Sequence, residues 1–214
     1  MRVLAILTLR NEGSFLLEWL AHHRAAGVTD FLVFSNDCND GTDLMLDRLQ
    51  AMGWLTHVRN DSHQEKGPQW QALKLAAHHP LIRMADWITV IDIDEFINIH
   101  AGDRTLPALF SALPDADAVT LTWRMFGNAG IVSLTDTPVT TTFTRAADDP
   151  LDWPWRAVMF KTLYRNDGRF GQPGVHRPKG KSTQMQRWFD GAGRPLPGGP
   201  QRIFSDLGKP NHRL

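Results

Sequence analysis

The chain has 214 residues with 23 basic and 23 acidic side chains, so its formal net charge of zero gives no support to a nucleic-acid partner. Its 42% hydrophobic and 21% charged residues are ordinary for a globular protein with one substantial core, which predicts a single domain over residues 1–214. The single cysteine, Cys38, excludes an intrachain disulfide and a multi-cysteine zinc site, and favours a reducing, cytoplasmic compartment.

Strands and helices alternate through the first half of the chain. The apolar run that starts it is too short to cross a membrane and lacks a cleavage-site pattern, so we expect a core strand there. We predict strands over 3–9, 31–34, 54–58 and 87–91, and helices over 40–53 and 68–79. Between the first two strands we predict a helix with Leu16, Trp19, Leu20 and His23 on one face, which stops at Gly27. This alternation predicts an α/β fold with a mixed, mainly parallel sheet flanked by helices, and no transmembrane segment. Peripheral membrane association stays open.

The second half is less regular. We predict a helix over 105–113 and strands over 118–125 and 158–164, with a loop over 146–155 that lies above a site and an irregular segment over 171–202. We expect a nucleotide-binding half over about 1–100 and an acceptor-side half over about 101–214. The last residues form no recognisable closing element, so a chain truncated at its C-terminus is one interpretation.

The charge is unevenly distributed along the chain. Residues from 156 onward carry a net charge of +9, and the first 155 residues carry −9. Such a division suits an anionic ligand that is held partly through a cation. A solvated basic surface explains it equally well.

The most informative stretch is the apolar run from Trp87 to Ile91 that is followed by Asp92, Asp94 and Glu95. Carboxylates inside a strand covered on both faces would be costly, whereas at its carboxyl end they lie where α/β sheets bind ligands. On extended backbone Asp92 and Asp94 would point to the same side, about 6–7 Å apart. That spacing suits two carboxylates that share a hard cation and its phosphates. A solvated turn that caps the next helix is the alternative.

Polar residues follow three of the predicted strands. The three groups are Arg10-Asn11-Glu12, Ser35-Asn36-Asp37 and Asp92-Ile93-Asp94-Glu95. In a parallel sheet they lie along one edge, where a nucleotide can place its base and ribose near the first two groups and its diphosphate near the third. Each group alone is equally a turn or a cap, and Asp40-Gly41-Thr42 is predicted to be one.

The order of these motifs resembles family-2-like glycosyltransferases of the GT-A fold, and more specifically the branch related to family 92. The matching segments are Asn11-Glu12, Glu18-Trp19-Leu20-x-x-His23, Asn36-Asp37-Cys38-Asn39-Asp40-Gly41-Thr42, Asp92-Ile93-Asp94-Glu95-Phe96, Trp123-Arg124-Met125-Phe126-Gly127, Gly174-Val175-His176-Arg177-Pro178 and Asn211-His212. Arg213 stands where that branch usually has Tyr. The resemblance covers essentially the whole chain.

The resemblance implies a metal-dependent, hexosyltransferase-like enzyme, inverting in mechanism, that moves a sugar from a UDP- or GDP-sugar to a saccharide or other hydroxyl acceptor. Asp92, Asp94 and His176 would bind Mn²⁺ or Mg²⁺, with His212 as the second candidate for the histidine. The implied donor-binding residues are Arg10, Asn11, Glu12, Asn36, Asp37, Gln69, Lys74 and Asp92.

The catalytic base stays open at this stage. An inverting transfer needs one carboxylate to take the proton of the acceptor hydroxyl. Glu95 beside the metal motif is one candidate, and Asp149 and Asp152 (with Asp148 beside them) are others on the 146–155 loop. A retaining mechanism is also open. Tryptophans 123, 153 and 155 would stack on sugar rings or belong to the core.

Two other functional classes compete. A metal-dependent phosphohydrolase or nucleotidyltransferase would also use Asp-x-Asp, but the chain lacks a Walker phosphate loop and its first strand ends in Arg-Asn-Glu rather than Asp-x-Asp. A non-catalytic nucleotide-sugar-binding module would keep the same carboxylates. Metal-dependent binding of a nucleoside diphosphate separates the first class from the leading hypothesis.

Overall fold

The computed structural model describes residues 1–61, 65, 67–133, 135–148, 159–180 and 185–200. Within these ranges one eight-stranded sheet has the order β3-β2-β1-β4-β6-β5-β7-β8. Its strands are β1 (Val3–Leu9), β2 (Asp30–Ser35), β3 (Thr56–Arg59), β4 (Trp87–Val90), β5 (Ala118–Thr122), β6 (Phe160–Arg165), β7 (Trp188–Phe189) and β8 (Pro195–Leu196). The helices are α1 (Gly13–Ala25), α2 (Thr42–Ala51), α3 (Pro68–Ala76), α4 (Pro80–Met84), α5 (Leu106–Ala112) and α6 (Val139–Thr142).

The first four strands form a wholly parallel half of the sheet. Strand β1 lies at its centre, paired with β2 and β4, and β3 pairs with the outer side of β2. Strand β6 then adds to β4 in the antiparallel sense and begins the mixed half. The predicted mixed, mainly parallel sheet between helices is therefore confirmed.

Both faces of the sheet are buried, which explains the near-continuous apolar strands. On one face, alternate residues of β1 such as Ala5 and Leu7 pack with Leu16 and Trp19 of α1. On the other, Leu4 and Ile6 pack with Ala72, Leu73 and Ala76 of α3. None of the helices in the described ranges is long and apolar enough to cross a membrane.

Several predicted boundaries differ from the observed ones. The single helix predicted over 68–79 is wrong in its extent, because Pro80 forces His79 into an extended conformation and a separate short helix, α4, begins there. The segment 171–202 is not irregular throughout, since it contains β7 and β8. Strand β4 ends one residue earlier than predicted, at Val90. Residues 149–155 of the predicted loop and the first residue of the strand predicted over 158–164 lie outside the described part of the chain.

Candidate active site

The carboxylate run forms a tight turn directly after β4. Asp92 N–H donates to Glu95 Oε2 at 2.8 Å, and Glu95 N–H donates back to the Asp92 carbonyl oxygen at 3.1 Å. The expectation that Asp92 and Asp94 share one side of an extended strand is therefore wrong. The turn leaves Asp92 partly buried and Asp94 exposed.

A buried lysine from β6 completes this cluster. Lys161, with a side chain only 3% exposed, places Nζ 2.8 Å from Asp92 Oδ2 and 3.4 Å from Glu95 Oε2. Gln69, in the first turn of α3, donates to Asp92 Oδ1 at 3.2 Å. Gln69 is among the residues predicted from the sequence, whereas Lys161 is not, although a lysine within the apolar run from Met159 to Tyr164 is an available signal.

Glu95 is the most perturbed carboxyl group of the cluster. Burial raises its pKa to about 7, and the nearby Lys161 ammonium opposes part of that rise. Its second oxygen, Oε1, is buried and has no hydrogen-bond partner among the described residues. Glu95 can therefore exchange a proton near neutral pH, and one of its oxygens is left for a ligand.

His176 lies beside the same cluster. Its Nδ1–H donates to the Phe160 carbonyl oxygen at 2.9 Å, so Nε2 carries the free lone pair. Burial and the charge of Lys161 lower the pKa of His176, whereas the charge of Asp92 acts in the opposite sense. The ring also contacts Trp123, with 5.7 Å between ring centroids. His176 is thus held as a neutral imidazole with one nitrogen able to bind a proton or a metal.

The ends of β1 and β4 meet at this edge, as predicted from the strand order. Burial raises the pKa of Glu12, and the charges of Asp94 and Asp92 add to the rise. Glu12 also accepts a long hydrogen bond, 3.4 Å, from the Arg10 backbone N–H. Three carboxylates from two neighbouring strand ends therefore repel one another here, and a bound cation would relieve that repulsion.

The loops after β1 and β2 are joined side by side. Asn11 and Asn39 exchange two hydrogen bonds, at 2.7 and 2.9 Å, and Asn11 and Asp37 both adopt left-handed backbone conformations. Asn36 is buried and donates to the Asn60 carbonyl oxygen, which ties the end of β2 to that of β3. Asp37 is exposed at the same edge, while Lys74 lies in the last turn of α3, far along the helix from Gln69.

Two side chains of helix α1 donate to or accept from the backbone of the carboxylate turn and of the residues that follow it. Trp19 Nε1–H donates to the Asp92 carbonyl oxygen at 3.0 Å, and His23 Nε2 accepts from Ile97 N–H at 3.2 Å. His23 Nδ1–H donates in turn to the Trp19 carbonyl oxygen at 2.8 Å, and burial lowers the His23 pKa to about 3. Trp19 and His23 of the Glu-Trp-Leu-x-x-His motif therefore position the turn, whereas Glu18 accepts hydrogen bonds from Val139 and Thr140. The predicted turn Asp40-Gly41-Thr42 is confirmed, since Asp40 Oδ1 accepts from Thr42 N–H, but the N-cap residue of α2 is Gly41 and makes no side-chain cap hydrogen bond.

The predicted metal ligands are oxygen and imidazole donors, which suit Mn²⁺ or Mg²⁺. The orphaned Glu95 oxygen and the Nε2 lone pair of His176 are consistent with that chemistry. In the described ranges, however, no three His, Cys, Asp or Glu side chains converge closely enough to hold a metal ion. The ligand set Asp92, Asp94 and His176 therefore stays a prediction.

The other predicted site residues fall outside the described part of the chain. They are Asp149, Asp152, Trp153, Trp155 and His212. Of the candidate bases, Glu95 and the exposed Asp148 lie in the described part of the chain, and the role of each is still a prediction.

The clustered carboxylates after the central parallel strands lie where proteins with an open α/β sheet bind their ligands. The sequence model of glycosyltransferase family 92 matches residues 6–157, and the chain belongs to that family. A family 92 protein of Oryza sativa subsp. japonica is 26% identical over 142 residues, covering 64% of this chain and 23% of the relative. One of Ricinus communis is 26% identical over 153 residues, covering 65% and 25%. The match thus spans about a quarter of these relatives' length.

Two solved structures illustrate the similarity at the level of the fold. S. aureus TarS 1–349 in complex with UDP is 17% identical, with a TM-score of 0.46 over 78% of this chain and 47% of that one. Glucosyl-3-phosphoglycerate synthase from Mycobacterium tuberculosis, in complex with Mn²⁺, UDP and glucosyl-3-phosphoglycerate, is 14% identical, with a TM-score of 0.40 over 78% and 57%.

Proposed function

We propose that this chain is a glycosyltransferase domain that transfers a sugar from a UDP- or GDP-sugar donor to a hydroxyl group of a saccharide acceptor. Family membership supports the reaction class. The observation that carries the proposal is the meeting of Glu12 with Asp92 and Asp94 at the carboxyl ends of two adjacent parallel strands. A diphosphate and its cation are the ligands that such a cluster suits best.

In this proposal the donor lies along the edge formed by β2, β1 and β4. Asn11, Glu12, Asp37 and Arg10 would contact the base and ribose, with Asn36 supporting the loop. Asp94, Asp92 and His176 would hold Mn²⁺ or Mg²⁺, which offsets the negative charge of the leaving diphosphate. Gln69 and Lys161 orient Asp92 through the hydrogen bond and ion pair that they make with it. Lys74 stays a weaker donor-binding candidate because of its place in the last turn of α3.

The transfer itself needs one proton acceptor. The acceptor oxygen forms a bond to the anomeric carbon, the bond from that carbon to the diphosphate oxygen breaks, and the nucleoside diphosphate leaves with the electron pair. The hydroxyl proton passes to a carboxylate. The pKa of Glu95, about 7, suits this role. Asp149 and Asp152 are the alternatives. The inverting stereochemistry and the cytoplasmic location stay predictions.

Calorimetric titration with UDP and with GDP, each with and without Mn²⁺, tests the proposal. We expect metal-dependent binding of one nucleotide that falls at least tenfold in Asp94→Asn. The matched control is Asp136→Asn, which neutralises an exposed carboxylate outside the cluster. If the folded protein binds neither nucleotide under any condition, the proposed function is wrong. Rapid hydrolysis of phosphate esters without sugar transfer would favour a phosphohydrolase instead.

A further inference from the structure

A second cavity opens beside the carboxylate cluster. It has a volume of about 660 Å³ and lies between the first turn of α3, the loop that follows β6, and strand β7. Its apolar part consists of Val175 and the aromatic rings of Phe170 and Trp188, which meet edge to face with centroids 5.4 Å apart. Cavities of this size hold small organic ligands, and one or two sugar rings fit such a volume.

The cavity is joined to the proposed reaction centre by two residues. His176 lines the cavity and also lies within the electrostatic influence of Asp92. Trp70 lines it as well, and the preceding residue, Gln69, donates to Asp92. In the sheet order, β4 and its carboxylates lie between the β1–β2 edge and the β6–β7 side where the cavity opens. A ligand in the cavity would therefore lie next to the carboxylates, with His176 as a neighbour of both.

The charged residues of the cavity wall are cationic. Arg177 and Lys179 are exposed there, and none of the described residues that line it is acidic. Lys179 Nζ lies 3.4 Å from the ring centroid of Trp70, whose side chain is 42% exposed. An anionic sugar has an apolar ring face and a negatively charged group. The exposed ring of Trp70 suits the first, and the neighbouring cation of Lys179 suits the second.

The loop that carries these cations is tightly folded. Lys179 N–H donates to the Gln172 carbonyl oxygen at 2.7 Å, and Arg177 Nη1 donates to the Pro200 carbonyl oxygen at 2.7 Å. A Cβ atom at Gly171 or Gly174 would overlap the carbonyl oxygen of Lys179 or Arg177, respectively. Glycine at both positions therefore lets the loop fold back on itself. The backbone that carries the two cations is held in place before a ligand binds, which favours specific recognition.

We propose that this cavity is the acceptor subsite and that it selects an anionic saccharide. The ring of the acceptor stacks on Trp70, and its carboxylate or phosphate group pairs with Lys179 and Arg177. Lys179 moves from the tryptophan face to the anionic group when the ligand enters. This assignment rests on the proposed function, because it takes the neighbouring carboxylates as the donor side of the same reaction.

Binding measurements with simple probes test the assignment. The probes are a glucuronate-terminated disaccharide, glucose 6-phosphate, and the neutral sugars cellobiose and glucose, each titrated into wild type with and without UDP and Mn²⁺. We expect at least one of the two anionic probes to bind ten times or more tightly than the neutral sugar of the same size, which is cellobiose for the disaccharide and glucose for glucose 6-phosphate. The preference for carboxylate or for phosphate identifies the source of the negative charge.

Variants of residues that line the cavity then test whether the sugar probes bind there. Lys179→Ala and Arg177→Ala should each weaken the anionic probe at least fivefold, and Trp70→Ala should weaken anionic and neutral probes alike. The matched control is Arg83→Ala, an exposed arginine on α4 outside the cavity, which should bind as wild type does. Circular dichroism and thermal melts establish that each variant is folded.

The outcomes separate this assignment from the proposed function. Equal binding of anionic and neutral probes, or no binding of either by folded protein, overturns the acceptor assignment even if UDP binds. Loss of UDP binding in Lys179→Ala, in parallel with the anionic probe, also overturns it, because the cavity would then hold the donor diphosphate. Anionic probe binding without any nucleotide binding overturns the proposed function and the acceptor role, and leaves an anionic-sugar site.

Discussion

The ammonium group of Lys161 lies 2.8 Å from the carboxylate of Asp92, and the lysine side chain is almost wholly inside the protein. Strand β6, which carries Lys161, pairs with β4 in the antiparallel sense. The pairing therefore delivers a fixed positive charge to the carboxylates that follow β4. The cluster already has one internal counter-ion before any donor or cation binds.

Removal of that charge should destabilise the fold. In Lys161→Met, the carboxylates of Asp92 and Glu95 lose the ammonium group that pairs with them. Removing one partner of a largely buried ion pair in this way lowers the free energy of unfolding by about 3 kcal/mol. Urea denaturation of Lys161→Met should show that loss, whereas Lys74→Met, which replaces an exposed lysine, should leave the free energy of unfolding nearly unchanged. Equal stability of both variants would contradict a structural role for the ion pair.

The hydrogen bond that the Trp19 indole donates should stabilise the protein in addition to the packing of the ring in the core. Trp19→Phe keeps an aromatic ring in the core but leaves the Asp92 carbonyl oxygen without its donor, at a cost of about 1–3 kcal/mol. Because the turn then loses an anchor, nucleotide binding should weaken as well. Trp54→Phe is the control, since Trp54 is 43% exposed. Unchanged binding in a destabilised Trp19→Phe would limit the residue to folding.

His23 should make the fold sensitive to acid. Its pKa is about 3 in the folded chain and 6.5 ordinarily, so the unfolded chain binds more protons between these values and stability falls as pH drops from 6.5. The slope for one such group is about 1.4 kcal/mol per pH unit. Glu95, with its pKa raised to about 7, acts in the opposite sense over pH 7 to 4.5.

The contribution of His23 is therefore read as a difference between two proteins. Wild type and His23→Gln, which keeps an acceptor for Ile97 N–H, are unfolded in urea at pH 7, 6 and 5. The stability of wild type should fall relative to the variant as pH decreases. Parallel curves for the two proteins would show that His23 is not neutral and buried as its hydrogen bonds indicate.

The loop beside the cavity should not tolerate a side chain at Gly174. A methyl group there overlaps the Arg177 carbonyl oxygen, so Gly174→Ala should cost about 1–3 kcal/mol and displace the neighbouring cations. Gly127→Ala is the matched control, because open space surrounds that position. Thermal melts and anionic-probe titrations on both variants measure the effect. A Gly174→Ala protein that melts and binds as Gly127→Ala does would exclude a fixed loop.

The parallel half of the sheet could be predicted from the sequence because its strands are apolar and are followed by polar groups, and because Gly27, Gly53 and Pro68 mark the ends of its helices. The position of Asp94 could not, since the turn after Val90 depends on hydrogen bonds within the run and on Trp19 from another element. Lys161 and the cavity were missed for a related reason. Their partners are far away in the chain, and antiparallel pairing of β6 with β4 brings them together.

Gln69 and Trp70 are consecutive residues in the first turn of α3, where Gln69 donates to Asp92 and Trp70 lines the cavity. A rigid turn of helix cannot move one without moving the other. We therefore expect the two sites to be coupled, so that a ligand at the carboxylates changes the affinity of the cavity, and a ligand in the cavity changes the affinity at the carboxylates by the same factor. Titration of each ligand with and without the other would measure that factor.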